Sequence, residues 1–251
     1  MRNTKSARGS AAKSRAAHEA QSGPKQRFAT VHHGSRRHPE KSRAAILQAA
    51  VNEFAEHGIA GARTDAIARI ARVNKALLYY YFKDKDALYA AALDHVFSGL
   101  RDRLLPVLDS SLDPREKLLA YVGRYFDYVA ANPRFPRVVQ AEWMRMGPKG
   151  SPQMLRIAQE YFAPIYKRVA EMLRQGAEKG QFRAVNPMDF MPTIVGIIVF
   201  YFSTAPAMKA LLKIDPLSQE RIEERRRFVL QFIAAALFTN TISLGPEASS
   251  V

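Results

Sequence analysis

The stretch ARVNKALLYYYFKDKDAL, residues 71–88, places three tyrosines and a phenylalanine directly beside a run of lysines and aspartates. Two structures suit Tyr79, Tyr80, Tyr81 and Phe82: a buried strand, or a short helix with one face in a core and the other on phosphates. The periodicity of the neighbouring residues decides between the two.

Two helices are predicted upstream of this stretch. Residues 42–57 carry the apolar stripe of an amphipathic helix, and Gly58 supplies a left-handed stop. The pattern of residues 65–71 predicts a shorter second helix. Thr64 can cap it, and Asp65 in its first turn interacts favourably with the helix dipole. The apolar positions of the two helices are Ile46, Leu47, Ala50, Val51, Phe54, Ile67, Ala68 and Ala71.

The aromatic stretch itself is predicted to be the third helix, residues 75–82. It follows a turn at 72–74 in which Asn74 can cap it, and Leu78 and Phe82 face inward. A helix, a three-residue turn and a short second helix form a helix-turn-helix, whose second helix enters the DNA major groove. Asp84 then caps a fourth helix.

The remainder of the chain is predicted to be helical, with prolines at the boundaries and no alternating strand pattern. The predicted fold is therefore all-α, with a three-helix helix-turn-helix domain at 40–88 and a helical domain at 89–245. The predicted helices beyond the third span 84–105, 113–131, 134–146, 152–180, 187–204 and 217–240.

Charge is concentrated near the N-terminus. The formal net charge is +15, and residues 1–45 hold 11 lysines and arginines against two glutamates. A basic protein gains affinity for polyanions by releasing their condensed counterions. Residues 1–39 have too few large apolar side chains to offset the entropy of ordering, so they are predicted to be a disordered basic tail. This tail can be an arm that follows a DNA minor groove, or a solvated extension.

Composition argues against several other classes of protein. The chain has no cysteine, its six histidines form no pair at metal-ligand spacing, and no nucleophile stands beside a base. No cofactor, metal site or catalytic site is expected, and a reducing, cytoplasmic location fits. The apolar run 191–206 is short for a bilayer span and contains Pro192 and Pro206. It is predicted to be a buried helix rather than a membrane segment.

Residues 42–88 resemble the DNA-binding domain of the tetracycline-repressor (TetR) family of transcriptional regulators. The resemblance lies in ILQAAVNEFAEHG, in IARIA, and in VNKALLYYYF followed by KDKDAL. It implies a homodimer that binds a palindromic operator on double-stranded DNA and is released when a small, unidentified effector enters the C-terminal domain. Beyond residue 89 the chain resembles the family in length and helical pattern only.

The resemblance also implies roles for particular residues. Thr64, Tyr79, Tyr81 and Lys85 would contact phosphates, which agrees with the chemistry of tyrosine hydroxyls and lysine ammonium groups. Lys75 and Ala76 would face base edges, and Tyr80 would lie against a base or sugar. The complete set of candidate DNA-binding residues is Thr64, Arg72, Asn74, Lys75, Ala76, Leu77, Tyr79, Tyr80, Tyr81 and Lys85.

Two positions depart from the family pattern. Leu77 stands where a small or polar residue is often found, and it can meet a thymine methyl through apolar contact instead of a hydrogen bond. The turn residue that is usually glycine is Arg72 here. Either Arg72 adopts a positive φ at a cost of roughly 1 kcal/mol, or the turn has a different geometry.

The C-terminal region offers two further expectations. Phe126, Trp143, Phe162 and Tyr166 are candidates for the wall of an apolar effector pocket between helices. On the last helix, Phe228, Phe232, Ala235 and Ala236 form a stripe suited to dimerisation with a symmetry-related copy.

Two other functions remain open from the sequence. The helical domain can serve as a catalytic cavity, although the chain shows no catalytic constellation. The protein can also be an architectural DNA binder that depends on its basic tail for affinity.

Overall fold

The computed structural model describes residues 39–145 and 152–239, and within these ranges the secondary structure is helical apart from one isolated bridge between Phe182 and Phe238. The all-α prediction is confirmed. The elements are α1 (Pro39–Gly61), α2 (Thr64–Ile70), α3 (Lys75–Tyr81), α4 (Lys85–Leu108), α5 (Pro114–Ala131), α6 (Phe135–Arg145), α7 (Pro152–Ile157), a π-helical turn (Ala158–Phe162), α8 (Ala163–Glu178), α9 (Pro187–Leu212) and α10 (Gln219–Leu237). The predicted basic tail lies outside the described residues, except that Pro39 begins α1.

Helices α1 to α3 pack around a small core of their own apolar stripes. Ile46, Ile67 and Leu78 are each 0 % exposed, so the inward faces predicted for the three helices are confirmed. Gly58 interrupts α1 with φ 62° and ψ 177°, and one further turn follows it. A side chain is strained at that φ, which is why the predicted stop falls on glycine.

The second helix begins differently from the prediction. Thr64 is its first helical residue, and the N-cap position belongs to Arg63, which makes no side-chain capping bond. The Arg63 amide instead donates to the Glu53 carboxylate of α1 at 3.0 Å. A carboxylate from a neighbouring helix thus satisfies the amide of the N-cap residue, and the predicted capping by Thr64 is wrong.

Two predicted helix ends at prolines are wrong. Helix α4 continues past Pro106 to Leu108, and α9 continues past Pro206 to Leu212. A proline removes one hydrogen bond and strains one carbonyl four residues earlier, which can bend a helix without stopping it. Helix α9 ends at Leu212, and its C-cap residue Lys213 has a φ of 58°.

The larger helical domain is built around α4, which extends from the helix-turn-helix into it and packs on α1, α5 and α8. Its core is aromatic, with Phe97, Tyr121 and Phe126 among the largest fully buried side chains. Helices α5, α8 and α9 pack against one another, α6 packs on α9, and the four helices line an apolar cavity.

Candidate DNA-binding surface and apolar cavity

The turn between α2 and α3 resolves the unusual Arg72. Its φ is 55°, its amide donates to the Arg69 carbonyl at 3.1 Å, and the Val73 amide donates to the Ala68 carbonyl at 3.0 Å. This pair of bonds is a Schellman motif, with Arg72 in the position where glycine is preferred and Val73 packed back on the core. Of the two alternatives for this turn, the structure shows the positive φ on a non-glycine residue.

The start of α3 is fixed by Asn74, whose side chain accepts from the Leu77 amide at 2.7 Å, so the predicted cap is confirmed. At the other end, Phe82 is buried and the Arg43 guanidinium of α1 lies over its ring, 5.4 Å from the centroid. Leu78 is fully buried between these two points. The helix is therefore held on one face only, and the opposite face is open to solvent.

Polar contacts organise the open face of α3. The Lys75 ammonium lies 2.8 Å from the Asp65 carboxylate of α2. Their hydrogen bond lowers the pKa of Asp65 and raises the pKa of Lys75, and both groups remain exposed to solvent. The Thr64 hydroxyl lies 3.2 Å from the Tyr79 hydroxyl. Helix α2 thus positions two side chains of α3 from one side.

The three consecutive tyrosines have different environments. Tyr80 is 80 % exposed and Tyr79 is 39 % exposed. Tyr81 is partly buried, packs against the core, and contacts the Tyr80 ring edge-on at 5.4 Å between centroids. Ala76 is exposed and Leu77 is half-buried beside them. The aromatic stretch therefore presents two tyrosine rings to solvent and anchors the third.

The start of α4 completes the surface. Asp84 caps this helix by accepting from the Ala87 amide at 2.7 Å, as predicted. The Lys85 ammonium donates to the Ala60 carbonyl at 3.2 Å, near the end of α1. That contact leaves further ammonium protons free, since lysine has three. Lys85 is thus positioned beside α3 at the edge of the same surface.

The cavity in the larger domain has a volume of about 700 Å³. Trp143, Phe162 and Tyr166 line it, as the sequence suggested for each. Phe126 does not line it, because this ring is buried in the core against Phe202, 5.3 Å between centroids. The other lining residues are Tyr125, Phe135, Val139, Ala158, Ala163, Met188, Met191, Pro192, Val195 and Gly196.

Helix α6 stands between the cavity and the helix-turn-helix. Phe135, Val139 and Trp143, spaced four residues apart, line the cavity on one face. On another face, Arg137 of α6 and Arg134, which directly precedes the helix, bind the Glu56 carboxylate of α1 at 2.5 and 2.8 Å. These ion pairs keep the pKa of Glu56 below its ordinary value, with the Arg137 hydrogen bond as the main cause.

A buried carboxylate also joins α6 to α4. Glu142 is 0 % exposed, and it accepts a hydrogen bond from the Tyr89 hydroxyl and from Arg145 at 3.1 Å. The Arg145 guanidinium lies over the Tyr89 ring, 5.2 Å from its centroid. Burial, together with the bond to Glu142, raises the pKa of Tyr89. Sequence reasoning missed this role of Glu142, because nothing local to residue 142 indicates a partner on α4.

Helices α9 and α10 leave apolar side chains uncovered. Phe228 and Phe232 are 52 % and 49 % exposed, and their rings stack at 6.0 Å between centroids. Phe200 of α9 is 67 % exposed. Ala235 and Ala236, on α10 with the two phenylalanines, are also exposed.

The prediction that the apolar run 191–206 is a buried helix does not match its setting in the protomer. Helix α9 is long and apolar enough to cross a membrane by length and composition alone, with a mean hydropathy of 1.7, yet only 28 % of that window is buried.

A three-helix unit whose last helix exposes tyrosines, a lysine and small residues, followed by a helical domain with a cavity, defines a class of helix-turn-helix DNA-binding regulators. Comparison with known proteins makes this specific. Residues 46–92 match the family described as "Bacterial regulatory proteins, tetR family", and residues 114–233 match "Tetracyclin repressor-like, C-terminal domain". The chain belongs to the TetR family and is a DNA-binding transcriptional regulator.

Individual relatives agree with this membership. The chain is similar to the HTH-type transcriptional repressor SCO4008 of Streptomyces coelicolor, with 34 % identity over 176 residues, covering 70 % of this chain and 85 % of that protein. It is 26 % identical over 180 residues to the HTH-type transcriptional repressor NicS of Pseudomonas putida, covering 70 % and 82 %. The crystal structure of the transcriptional regulator SCO4942 from Streptomyces coelicolor matches with a TM-score of 0.56 and 30 % identity, over 77 % of this chain and 97 % of that one.

Proposed function

We propose that this regulator is a homodimeric repressor that binds a palindromic operator and is released when a small molecule occupies the cavity. The observation that carries the proposal is helix α6, which lines the cavity on one face and binds the helix-turn-helix on another. We place the domain boundary near residue 88 within α4, with 40–88 binding DNA and 89–245 binding the effector. Cytoplasmic location is part of the same proposal, since the operator lies on DNA.

The open face of α3 supports two groups of residues, one that positions the protein on DNA phosphates and one that reads the bases. Tyr79, Tyr81, Lys85 and Thr64 are assigned to phosphates, because their polar ends lie around the margin of the face while their stems are packed or paired. Ala76, Leu77 and Tyr80 are assigned to bases or sugars, since their side chains have no polar partner to release among the described residues.

Lys75 has to exchange partners in order to read a base. Its ammonium is paired with Asp65 in the free protein, and a guanine edge would compete with that exposed pair. Exposed pairs of this kind contribute little to stability, so exchange is feasible. Arg72 and Asn74 are assigned structural positions at the turn, where Arg72 also contributes charge toward the DNA backbone.

The uncovered faces of α9 and α10 support the homodimer. Exposed phenylalanines and small residues along a helix permit close approach of a second helix, and a twofold axis would cover the face of each copy with that of the other. Two copies would bring two α3 helices to one duplex, which is the arrangement that a palindromic operator requires.

Coupling between the sites follows from α6. A ligand that displaces the wall formed by Phe135, Val139 and Trp143 would move the same helix that holds Glu56 of α1 and Tyr89 of α4. Because packed interfaces have discrete arrangements, a small shift of α6 is expected to re-orient the helix-turn-helix as a unit. Ligand and DNA would then weaken each other's binding by the same factor.

Selection of bound sequences from a random duplex pool tests the DNA-binding part of the proposal. We expect a single palindromic sequence to be enriched, with one half-site for each α3. A population without enrichment would instead support the architectural interpretation.

Deleting residues 1–38 separates these interpretations further. The deletion removes charge and should lower affinity for operator and random duplex by similar factors, leaving the ratio of the two affinities intact. Loss of nearly all binding, together with loss of discrimination, would identify the tail as the principal DNA-binding element. Turnover of any small molecule in the cavity would revive the enzyme interpretation.

A further inference from the structure

The cavity wall is uniform in chemistry. No residue that lines it within the described chain carries a charge, and the side chains are aromatic, aliphatic or thioether. Transferring an ion from water into such surroundings without a counter-charge is strongly unfavourable. The nearest buried carboxylate along α6, Glu142, is directed to Tyr89 and Arg145 and takes no part in the lining. A charged group held against this wall would therefore lose hydration without gaining a counter-charge.

One polar group in the wall, the hydroxyl of Tyr125, is available to a ligand. Tyr125 lines the cavity and is 4 % exposed, and within the described residues no hydrogen bond engages its hydroxyl. Its ring packs edge-on against Phe135 at 6.4 Å between centroids. Burial raises the pKa of Tyr125, so the group remains a neutral hydroxyl that can donate. Because the hydroxyl lies at the cavity wall, it can exchange a water for an acceptor on a ligand.

Tyr121 on the same helix provides the contrast. It is 2 % exposed, does not line the cavity, and directs its hydroxyl to the Met191 sulfur at 3.6 Å. The two tyrosines lie one helical turn apart in α5, yet only Tyr125 combines a place in the cavity wall with an unused donor.

We propose that the effector is an uncharged, largely apolar molecule bearing a hydrogen-bond acceptor such as a ketone or ester oxygen, and that the Tyr125 hydroxyl donates to this acceptor. The inference rests on the proposed function of the cavity as the effector site. A volume of about 700 Å³ is in the ordinary range for a ligand of drug-like size.

The chain provides its own probe of occupancy. Trp143 is its single tryptophan and lines the cavity, so intrinsic fluorescence reports binding there. Three probes of matched chain length, 2-undecanone, undecanoate and undecylammonium, would be titrated against the full-length protein. We expect the ketone to bind at least about tenfold more tightly than either ion. Tighter binding of undecanoate or undecylammonium would overturn the inference, and so would failure of all three to change the fluorescence.

Substitution at Tyr125 tests the anchor. Tyr125→Phe should weaken 2-undecanone binding by about fivefold, the size of one net hydrogen bond, without lowering the thermal stability of the ligand-free protein. Tyr121→Phe, a matched loss of a buried hydroxyl outside the cavity, should leave the affinity unchanged. If Tyr166→Phe weakens 2-undecanone binding and Tyr125→Phe does not, the hydrogen-bond donor is Tyr166 and the assignment to Tyr125 is wrong.

A parallel measurement of operator binding distinguishes this inference from the proposed function. If the ketone changes Trp143 fluorescence while operator affinity stays constant, the ligand class stands and ligand-driven release fails. If a charged ligand releases the operator and the ketone does not bind, release stands and the ligand class fails.

Discussion

Helices α3 and α6 are both short, and each presents its functional residues on one face, but the other face is used differently. The buried face of α3 only anchors it, through Leu78 and Phe82 in a small apolar core. On the opposite side of α6, the buried Glu142 binds α4, and Arg137, together with Arg134 just before the helix, binds α1. Helix α3 is thus held to its core by apolar packing, whereas α6 is joined to its neighbours by directional polar contacts with a defined geometry.

The largest effect is expected when the two α3 helices of a dimer are separated. Phe228→Glu places a charge in the uncovered face of α10 and should yield a monomer in analytical ultracentrifugation. Operator affinity should fall by at least about a hundredfold, because a monomer loses the second, effectively intramolecular contact. Leu155→Glu on α7, another exposed apolar residue at 56 %, is the matched control and should remain dimeric. A dimeric Phe228→Glu protein would place the interface elsewhere.

The second effect concerns the polar side of α6. Glu142→Ala leaves the buried Tyr89 hydroxyl and the Arg145 guanidinium without their partner, so the free energy of unfolding should fall by about 2 to 3 kcal/mol. Glu142→Gln keeps an acceptor for Tyr89 and should recover part of that loss. Denaturant unfolding measures both variants.

The same variants sharpen the comparison with α3. If α6 transmits the ligand signal, Glu142→Gln should bind operator with normal affinity yet respond more weakly to ligand in the cavity. Glu171→Ala removes an exposed carboxylate paired with Arg174 and serves as the control, with no measurable change expected in either property. An unaltered ligand response in Glu142→Gln would remove Glu142 from the coupling route.

A smaller effect is expected at the margin of α3. Lys85→Ala should weaken operator binding by about fivefold and reduce the slope of log affinity against log salt by about one. Tyr79→Phe should weaken binding to a similar extent without changing the slope, because the tyrosine hydroxyl carries no charge. Lys167→Ala, an exposed lysine of α8, removes the same charge far along the chain and should change neither quantity. Unchanged affinity in both test variants would end their assignment to phosphates.

Helix caps and long-range ion pairs differ in how far a sequence can predict them. The caps Asn74 and Asp84 and the stop at Gly58 act within a few residues of their own position, so local pattern was sufficient to find them. The roles of Glu53, Glu56 and Glu142 depend on partners 10 to 81 residues away along the chain, and nothing in the local sequence encodes such a partner.

The cavity wall falls between these two cases. Trp143, Phe162 and Tyr166 line it as expected, but Phe126 does not, because an aromatic residue at helical spacing serves a core equally well. Tyr125 was not selected from the sequence, since its distinguishing property is a hydroxyl left without a partner after folding. Phe228 and Phe232 are exposed in the single chain, as a dimer interface requires. That a second copy covers them stays a prediction.

The smallest expected effect is at Arg72, where the helix-turn-helix departs from its own family pattern. Arg72→Gly relieves a positive φ of 55° in the Schellman motif and should stabilise the protein by up to about 1 kcal/mol in denaturant unfolding. The gain is partly offset because glycine raises the entropy of the unfolded chain. Arg72→Ala keeps the backbone strain and removes the charge. If both variants lose the same DNA affinity, the loss is due to the missing guanidinium and not to the backbone. If Arg72→Gly is less stable than Arg72→Ala, the left-handed backbone is not the source of a net cost at this position. If Arg72→Ala is less stable than the wild type, the long side chain of Arg72 stabilises the turn through its own packing.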